Sequence, residues 1–255
     1  MSSRDIRRKY GQNYLIDPAI LFEMGEVISP NDSDNFIEIG PGIGALTNQI
    51  NTENINITAI DIDANNIETL KNKFKGPANF NFINEDILKF KLEDLRVDKR
   101  IVGNLPYNIS TQIILKLLND YQKIIDMHFL VQKEVAQKIT GQVESKNWGK
   151  LAIKISAFFN SEILFDVPPE AFDIKPKVNS SFIRLLPKKD LNYDLSIKDN
   201  LYKIIDLAFS SKRKNIKNNL KKLDIDWDKT NIDPTKRSEE IPLTDFINLA
   251  KVYSA

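Results

Sequence analysis

The chain has 255 residues, one histidine, no cysteine and a formal net charge of +1. It is long enough to bury a full hydrophobic core, but it can form neither a disulfide nor a thiolate or histidine-cluster metal site, so metal catalysis is not expected. Since no apolar run approaches the ~18 residues that span a bilayer and the start lacks an apolar signal core, we expect a cytoplasmic protein without a membrane partner.

The first predicted elements surround a glycine-rich loop. Asp17-Pro18 is typical of a helix start, and the buried strand Phe36–Ile39 leads through Gly40-Pro41-Gly42-Ile43-Gly44 into a helix at residues 45–50. Glycines at such a turn let a ligand approach the backbone closely. Asp61 then closes the strand at residues 55–60, where a carboxylate can accept hydrogen bonds from both hydroxyls of a ribose.

This pattern alone leaves two cofactors open. It could be the dinucleotide fingerprint of a nicotinamide oxidoreductase, but the glycine spacing is G-x-G-x-G and the preceding strand carries Glu38. Both features favour S-adenosylmethionine. A third strand, at residues 79–83, ends near Asp86, whose carboxylate could accept a hydrogen bond from an adenine amino group.

A second motif, Asn104-Leu105-Pro106-Tyr107, follows the strand Arg100–Gly103. The side-chain oxygen of Asn104 and the carbonyl of Leu105 could accept the N–H groups of a flat exocyclic amine, and the Tyr107 ring could stack on the base that carries it. An ordinary turn with a buried tyrosine is the other interpretation. In a sheet of order 3-2-1-4 this motif would face the glycine loop, so cofactor and amine would meet.

The alternation of strands and helices predicts an α/β fold: a doubly wound, Rossmann-like sheet with an antiparallel end strand, followed by a small C-terminal helical domain. The further predicted helices cover residues 64–74, 110–121, 133 onward, 148–159, 197–209, 213–223 and 244–252, and the further strands cover residues 127–131, 162–167 and 180–186. The predicted domains are residues 1–187 and 188–255. His128 lies in a buried strand, so we expect it to be structural and not catalytic.

The near-neutral net charge conceals two basic clusters. One cluster consists of Arg4, Arg7, Arg8 and Lys9, and the other contains Lys212, Arg213 and Lys214 with three further lysines up to Lys222. Either cluster alone could be a solvated surface. Two such clusters in a chain with a base-binding motif favour contacts with RNA phosphates.

Six ordered motifs along nearly the whole chain resemble the ribosomal RNA adenine N6,N6-dimethyltransferase family. They are Lys9-Tyr10-Gly11-Gln12-Asn13-Tyr14-Leu15, Glu38-Ile39-Gly40-Pro41-Gly42, Asn84-Glu85-Asp86, Asn104 to Thr111, Met127 to Val135, and Val167 to Phe172 with Lys175 to Val178. The resemblance implies that Asn13, Leu15, Gly40, Asp61, Asp86 and Asn104 bind the cofactor. It also implies that Asn104, Tyr107 and Phe172 hold the target adenine.

The resemblance implies dimethylation of two adjacent adenosines near the 3′ end of small-subunit ribosomal RNA, within an immature ribosomal subunit, by a monomeric enzyme. Two alternatives stay open. One is a methyltransferase for a large-subunit adenosine, and the other is a ribosome-assembly factor that kept the fold without catalysis. Asp61, Asp86, Asn104 and Tyr107 are all present, which favours an active enzyme.

Overall fold

The computed structural model describes residues 13–74, 79–92, 98–191 and 193–254, and within them the chain forms one seven-stranded sheet. Its strands are β1 (Asn35–Ile39), β2 (Asn56–Asp61), β3 (Phe80–Asn84), β4 (Lys99–Asn104), β5 (Ile124–Gln132), β6 (Phe159–Val167) and β7 (Ser180–Pro187). The apolar runs of β1, β4 and β5 are buried almost throughout, as parallel strands covered on both faces require.

The strand order is β3-β2-β1-β4-β5-β7-β6. β1 pairs in parallel with β2 and β4, β2 with β3, and β4 with β5, whereas β7 runs antiparallel to β5. This confirms the predicted doubly wound sheet with antiparallel pairing at one end. Because β1 and β4 are neighbours whose connections leave in opposite directions, a crevice forms beyond their carboxyl ends.

Two of the longer helices begin after an aspartate that caps them. The Asp17 side chain accepts hydrogen bonds from the N–H groups of Ala19 and Ile20 at the start of the first helix, and Asp63 caps the third. The helices are α1 (Pro18–Ile28), α2 (Ala45–Ile50), α3 (Ala64–Lys73), α4 (Ser110–Leu117), α5 (Lys133–Ile139), α6 (Lys150–Phe158), α7 (Lys198–Ala208), α8 (Ile216–Asn219) and α9 (Leu243–Ser254). In the described part of the chain, none of them has the length and apolarity that a membrane span needs.

Polar groups are also buried at the opposite, amino-terminal end of the sheet. Arg100 pairs with Asp34 at 2.7 Å and with Asp126 at 2.8 Å, and its guanidinium lies over the Phe36 ring. His128 is only 1% exposed, and neither ring nitrogen has a hydrogen-bond partner among the described residues. Burial lowers the pKa of His128 to about 4, which fits a neutral packing residue as the sequence predicts.

The chain divides into two compact units, Met1–Ala136 with Glu162–Pro187, and Gln137–Ser161 with Lys188–Ala255. The first unit thus ends at Pro187, and residues 137–161 fall in the second unit with residues 188–255. In this second unit, helices α6, α7 and α9 pack around buried side chains such as Phe158, Ile205 and Phe246.

One predicted helix is wrong in extent. Residues 213–223 form a turn, the four-residue helix α8 and further turns, in place of a continuous helix. Asn219 explains why the helix is shorter than predicted. Its side-chain amide donates to the carbonyls of Ala208 and Ser211, and these hydrogen bonds stabilise a compact turn. Ile216 and Leu220 are nevertheless buried as predicted.

Candidate active site

The loop between β1 and α2 has the backbone conformation that its glycines predict. Gly40, Gly42 and Gly44 all have positive φ angles, between 55° and 78°. A Cβ atom on Gly42 would lie 2.7 Å from the ring of Tyr14, so any side chain there would be both strained and in collision. The loop therefore presents bare backbone toward the crevice.

Asp61, at the end of β2, is tied to this loop. Its Oδ2 accepts from the N–H of Gly42 at 3.2 Å and from the amide of Asn66 at 3.0 Å, and its Oδ1 accepts from the N–H of Asp63 at 2.9 Å. Only 4% of the residue is exposed, and this burial raises the pKa of the carboxyl. The carboxylate is thus held in a fixed orientation at the carboxyl edge of the sheet.

Two residues that were not predicted to have a role, Asn66 and Tyr14, support Asp61. The Tyr14 hydroxyl donates to the side-chain oxygen of Asn66 at 3.0 Å, and Asn66 in turn donates to Asp61. The local sequence around Tyr14 and Asn66 gives no signal for this chain of hydrogen bonds. The contact itself depends on tertiary structure.

A second acid beside the loop is Glu38, which is 1% exposed at the end of β1. It accepts a hydrogen bond of 2.6 Å from the hydroxyl of Thr47 on α2. Burial raises the pKa of Glu38 to about 7. Glu38 lines a small cavity next to the crevice, with Leu15 and Met24.

Asn104 ends β4 with its side chain oriented by a backbone group. The amide nitrogen donates to the carbonyl of Asn13 at 2.8 Å, which leaves the side-chain oxygen available as an acceptor. The N–H of Leu105 donates to the carbonyl of Leu130, and the turn closes through the bond from Ile109 N–H to the Pro106 carbonyl. The motif is thus a fixed turn at the strand end.

The Tyr107 ring is partly buried and its hydroxyl is anchored on a neighbouring strand. The Tyr107 and Ser180 hydroxyl oxygens lie 2.5 Å apart, and Ser180, at the start of β7, is fully buried. Burial raises the pKa of Tyr107. Ser180 is a further residue that sequence reasoning missed, because it lies 73 positions away along the chain.

One cleft, here called the glycine-loop cleft, brings most of the predicted site residues together. Its lining includes Asn13, Gly40, Asp61, Asp86, Asn104, Leu105 and Tyr107. Asp86 follows β3, where its carboxylate also accepts from the N–H of Leu88. The donors and acceptors predicted for the cofactor and for the amine therefore lie in the same cleft.

Two predicted site residues lie elsewhere. Phe172 is 2% exposed, packs in the hydrophobic core with Val167 and Ala171, and does not line the glycine-loop cleft. Its ring fills core volume, so in this structure it has no free face on which a base could stack. Leu15 is 4% exposed, pairs through its backbone with Phe172 and lines the small neighbouring cavity but not the glycine-loop cleft.

The basic residues predicted to bind RNA fall into two groups. Lys212, Arg213 and Lys214 are all exposed, on the turn that precedes α8. Arg4, Arg7, Arg8 and Lys9 lie outside the described residues.

Comparison with known proteins identifies the family. The family model described as ribosomal RNA adenine dimethylase matches residues 3–255. A protein from Coxiella burnetii (strain Dugway 5J108-111) named ribosomal RNA small subunit methyltransferase A is 36% identical over 258 residues, which cover 100% of both chains. A protein of the same name from Legionella pneumophila (strain Corby) is 39% identical over 251 residues, covering 97% of this chain and 98% of its own.

Two solved structures share the fold. The 23S rRNA methyltransferase ErmE superposes with a TM-score of 0.74 at 21% identity, covering 95% of this chain and 100% of its own. A dimethyladenosine transferase from Plasmodium falciparum superposes with a TM-score of 0.76 at 23% identity, covering 92% and 95%. The motifs, the fold and the full-length match agree, and the chain belongs to the ribosomal RNA adenine dimethylase family.

Proposed function

We propose that this protein transfers methyl groups from S-adenosylmethionine to N6 of two adjacent adenosines in small-subunit ribosomal RNA during ribosome biogenesis. The observation that carries the proposal is the glycine-loop cleft, which is lined by Asp61 and by the Asn104–Tyr107 motif together. The names of the relatives from Coxiella and Legionella support a small-subunit target.

The cleft fits the cofactor on the chemistry of its donors and acceptors. A carboxylate has about four lone-pair sites, and Asp61 uses three of them on Gly42, Asn66 and Asp63. Capacity therefore remains for a ribose hydroxyl. Asp86 would accept from the adenine amino group, and the bare backbone at Gly40 and Gly42 would let the ligand lie close to the loop.

The protein's part in the reaction is to orient the attacking nitrogen. S-adenosylmethionine, when bound, supplies a methyl group that its sulfonium already activates. The Asn104 side-chain oxygen and the Leu105 carbonyl accept the N–H groups of the adenine, which favours a tetrahedral nitrogen, and the Tyr107 ring stacks on the base. No strong general base is needed, because the methylated nitrogen is cationic and loses its proton readily.

The substrate is ribosomal RNA within an immature small subunit in the cytoplasm, and the enzyme acts as a monomer. The exposed cations at Lys212, Arg213 and Lys214 support contact with an RNA backbone.

The test is to incubate the protein with methyl-labelled S-adenosylmethionine and immature small subunits, and then to map the modified nucleotides by mass spectrometry. The proposal expects dimethyladenosine at two adjacent positions in small-subunit RNA. Methylation of large-subunit RNA alone would favour the other enzymatic alternative. Cofactor binding without any methyl transfer would favour a non-catalytic assembly factor.

A further inference from the structure

The second compact unit contains a cleft that shares only Lys212 with the residues predicted to bind RNA. It has a volume of about 370 Å³ and lies at the start of α6, and we name it the lysine cleft. Its rim carries four lysines against a single acid, Glu239. The lysines are Lys138, Lys146, Lys150 and Lys212.

The charges at this cleft are available to a ligand to different degrees. Lys146 and Lys212 are exposed, and no described residue forms an ion pair with either of them. Lys150 lies 3.7 Å from Asp206, a carboxylate that Lys154 holds more closely at 2.9 Å. The cleft thus has an excess of positive charge, which favours an anion.

The backbone adds to the attraction for an anion. Helix α6 begins at Lys150, and its N-cap residue, Gly149, provides no side chain to cap the first N–H groups. The amino-terminal end of a helix of this length carries partial positive charge. The hydroxyl oxygen of Ser145, which also lines the cleft, is buried and has no hydrogen-bond partner among the described residues.

Hydrogen bonds and aromatic packing hold the residues that line the lysine cleft in place. The Trp148 indole donates to the Ile241 carbonyl at 2.8 Å, and Phe209 stacks on Phe246 with ring centroids 6.1 Å apart. The loop before α6 is fixed by the hydrogen bond from the Glu144 N–H to the Glu239 carbonyl. Phe209 is half-buried and lines the cleft beside the edge of the buried Trp148, so an aromatic wall accompanies the positive charge.

We propose that the lysine cleft binds one nucleotide of the ribosomal RNA backbone, with its phosphate among Lys146, Lys150 and Lys212 and its sugar or base against the aromatic wall. The volume falls in the range of about 300 to 1,000 Å³ that small-ligand sites occupy. RNA supplies both the anion and the flat apolar group. This inference rests on the proposed function for the identity of the RNA, and it adds a binding site outside the glycine-loop cleft.

Gly149 offers a direct test, because a Cβ atom there would meet nothing within 4 Å and its φ of −160° suits any residue. Gly149→Leu should fill the cleft without disturbing the fold. Lys146→Ala removes one of the exposed cations, and Lys189→Ala, which removes an exposed lysine outside the cleft, is the matched control. Equal urea midpoints for the variants and the wild type would confirm that all are folded.

The measurement is the affinity for a labelled hairpin from the 3′ end of small-subunit ribosomal RNA at several salt concentrations. Lys146→Ala and Gly149→Leu should both weaken binding several-fold. In the lysine variant the slope of log affinity against log salt should fall by about 0.7 to 0.9. S-adenosylmethionine affinity should not change in any variant.

Wild-type RNA affinity in both variants would overturn the proposal, and if Gly149→Leu unfolds, Lys146→Ala decides. Adenosine monophosphate at matched ionic strength is a competing ligand. If it binds wild type but not Gly149→Leu while RNA affinity is unchanged, the cleft is a mononucleotide site and the proposal is wrong. Weakened RNA binding in a protein that transfers no methyl group would refute the proposed function and leave this site standing.

Discussion

Asp61 is the residue through which we expect the cofactor to be held. Asp61→Ala removes the acceptor for a ribose hydroxyl and releases the N–H of Gly42, so S-adenosylmethionine affinity should fall by tenfold or more, since a hydrogen bond to a charged group contributes about 1.5 to 3 kcal/mol. RNA affinity should stay within a factor of two. Calorimetry with each ligand measures both affinities. The control is Asp63→Asn, which also removes one negative charge but keeps a side chain that can cap the helix. Equal losses for both ligands would remove Asp61 from the cofactor site.

Two variants of Tyr107 distinguish the role of its ring from the role of its hydroxyl. Tyr107→Phe keeps the ring but leaves the Ser180 hydroxyl without its partner, so it should cost about 1 kcal/mol of stability and retain most of kcat/KM. Tyr107→Ala should lose a further stacking contribution of about 1 to 3 kcal/mol from kcat/KM. Urea unfolding and steady-state kinetics give the two values. Equal kinetic losses in both variants would mean that the hydroxyl, not the ring, acts on the substrate.

At the residue scale, the sequence predicted those site residues that occupy strand ends. Asp61, Asp86 and Asn104 follow apolar strands, so their position beside the crevice follows from the order of a doubly wound sheet. The Tyr14–Asn66 and Tyr107–Ser180 contacts could not be predicted, because they join segments that are 52 and 73 residues apart along the chain. Phe172 could be placed near the site by its motif, but its burial depends on how the core is filled.

The turn at residues 212–214 is the element that we expect to contact RNA phosphates. Replacing Lys212, Arg213 and Lys214 together by alanine should lower RNA affinity, and each lost phosphate contact should flatten the salt dependence by about 0.7 to 0.9. Cofactor affinity should be unchanged. Replacing Lys71, Lys89 and Lys123, which are also exposed, is the matched control for charge. An unchanged slope in the first variant would mean that the turn is only a solvated surface.

The elements themselves were predictable to different degrees. The strands that flank the crevice and helices α3, α7 and α9 follow from apolar periodicity and from caps such as Asp63. Helix α8 was predicted too long, because Ile216 and Leu220 fit a helical period while Asn219 holds the chain in a turn. A side chain that bonds to distant carbonyls overrides a weak local preference.

Two buried groups make opposite contributions to the stability of the whole molecule. Glu38, with its pKa raised from 4.5 to about 7, binds more protons in the folded state, so its contribution is full below pH 4.5 and is lost as the pH rises toward 7. His128, with its pKa lowered from 6.5 to about 4, has the opposite sign: its contribution is present above pH 6.5 and is lost as the pH falls toward 4.

The two contributions should largely cancel in the wild type between pH 4.5 and 6.5. In Glu38→Gln only the histidine term remains, so the free energy of unfolding should rise with pH across this window by up to roughly 3 kcal/mol more than in wild type. In His128→Gln it should fall by a comparable amount. Urea unfolding at several pH values measures this. Parallel curves for all three proteins would show that neither group titrates differently on folding.

The central claim is that Asn104 orients the target amine in the cleft that holds the cofactor, and single-turnover methyl transfer by Asn104→Ala tests it most directly. At saturating cofactor and RNA, the variant should be slower by roughly 100- to 1,000-fold, since a preorganised hydrogen-bonding group of this kind lowers the barrier by about 2.7 to 4 kcal/mol. Asn56→Ala, which removes an exposed asparagine at the start of β2, should match wild type. A rate for Asn104→Ala within a few-fold of wild type, in a folded protein, would contradict the account.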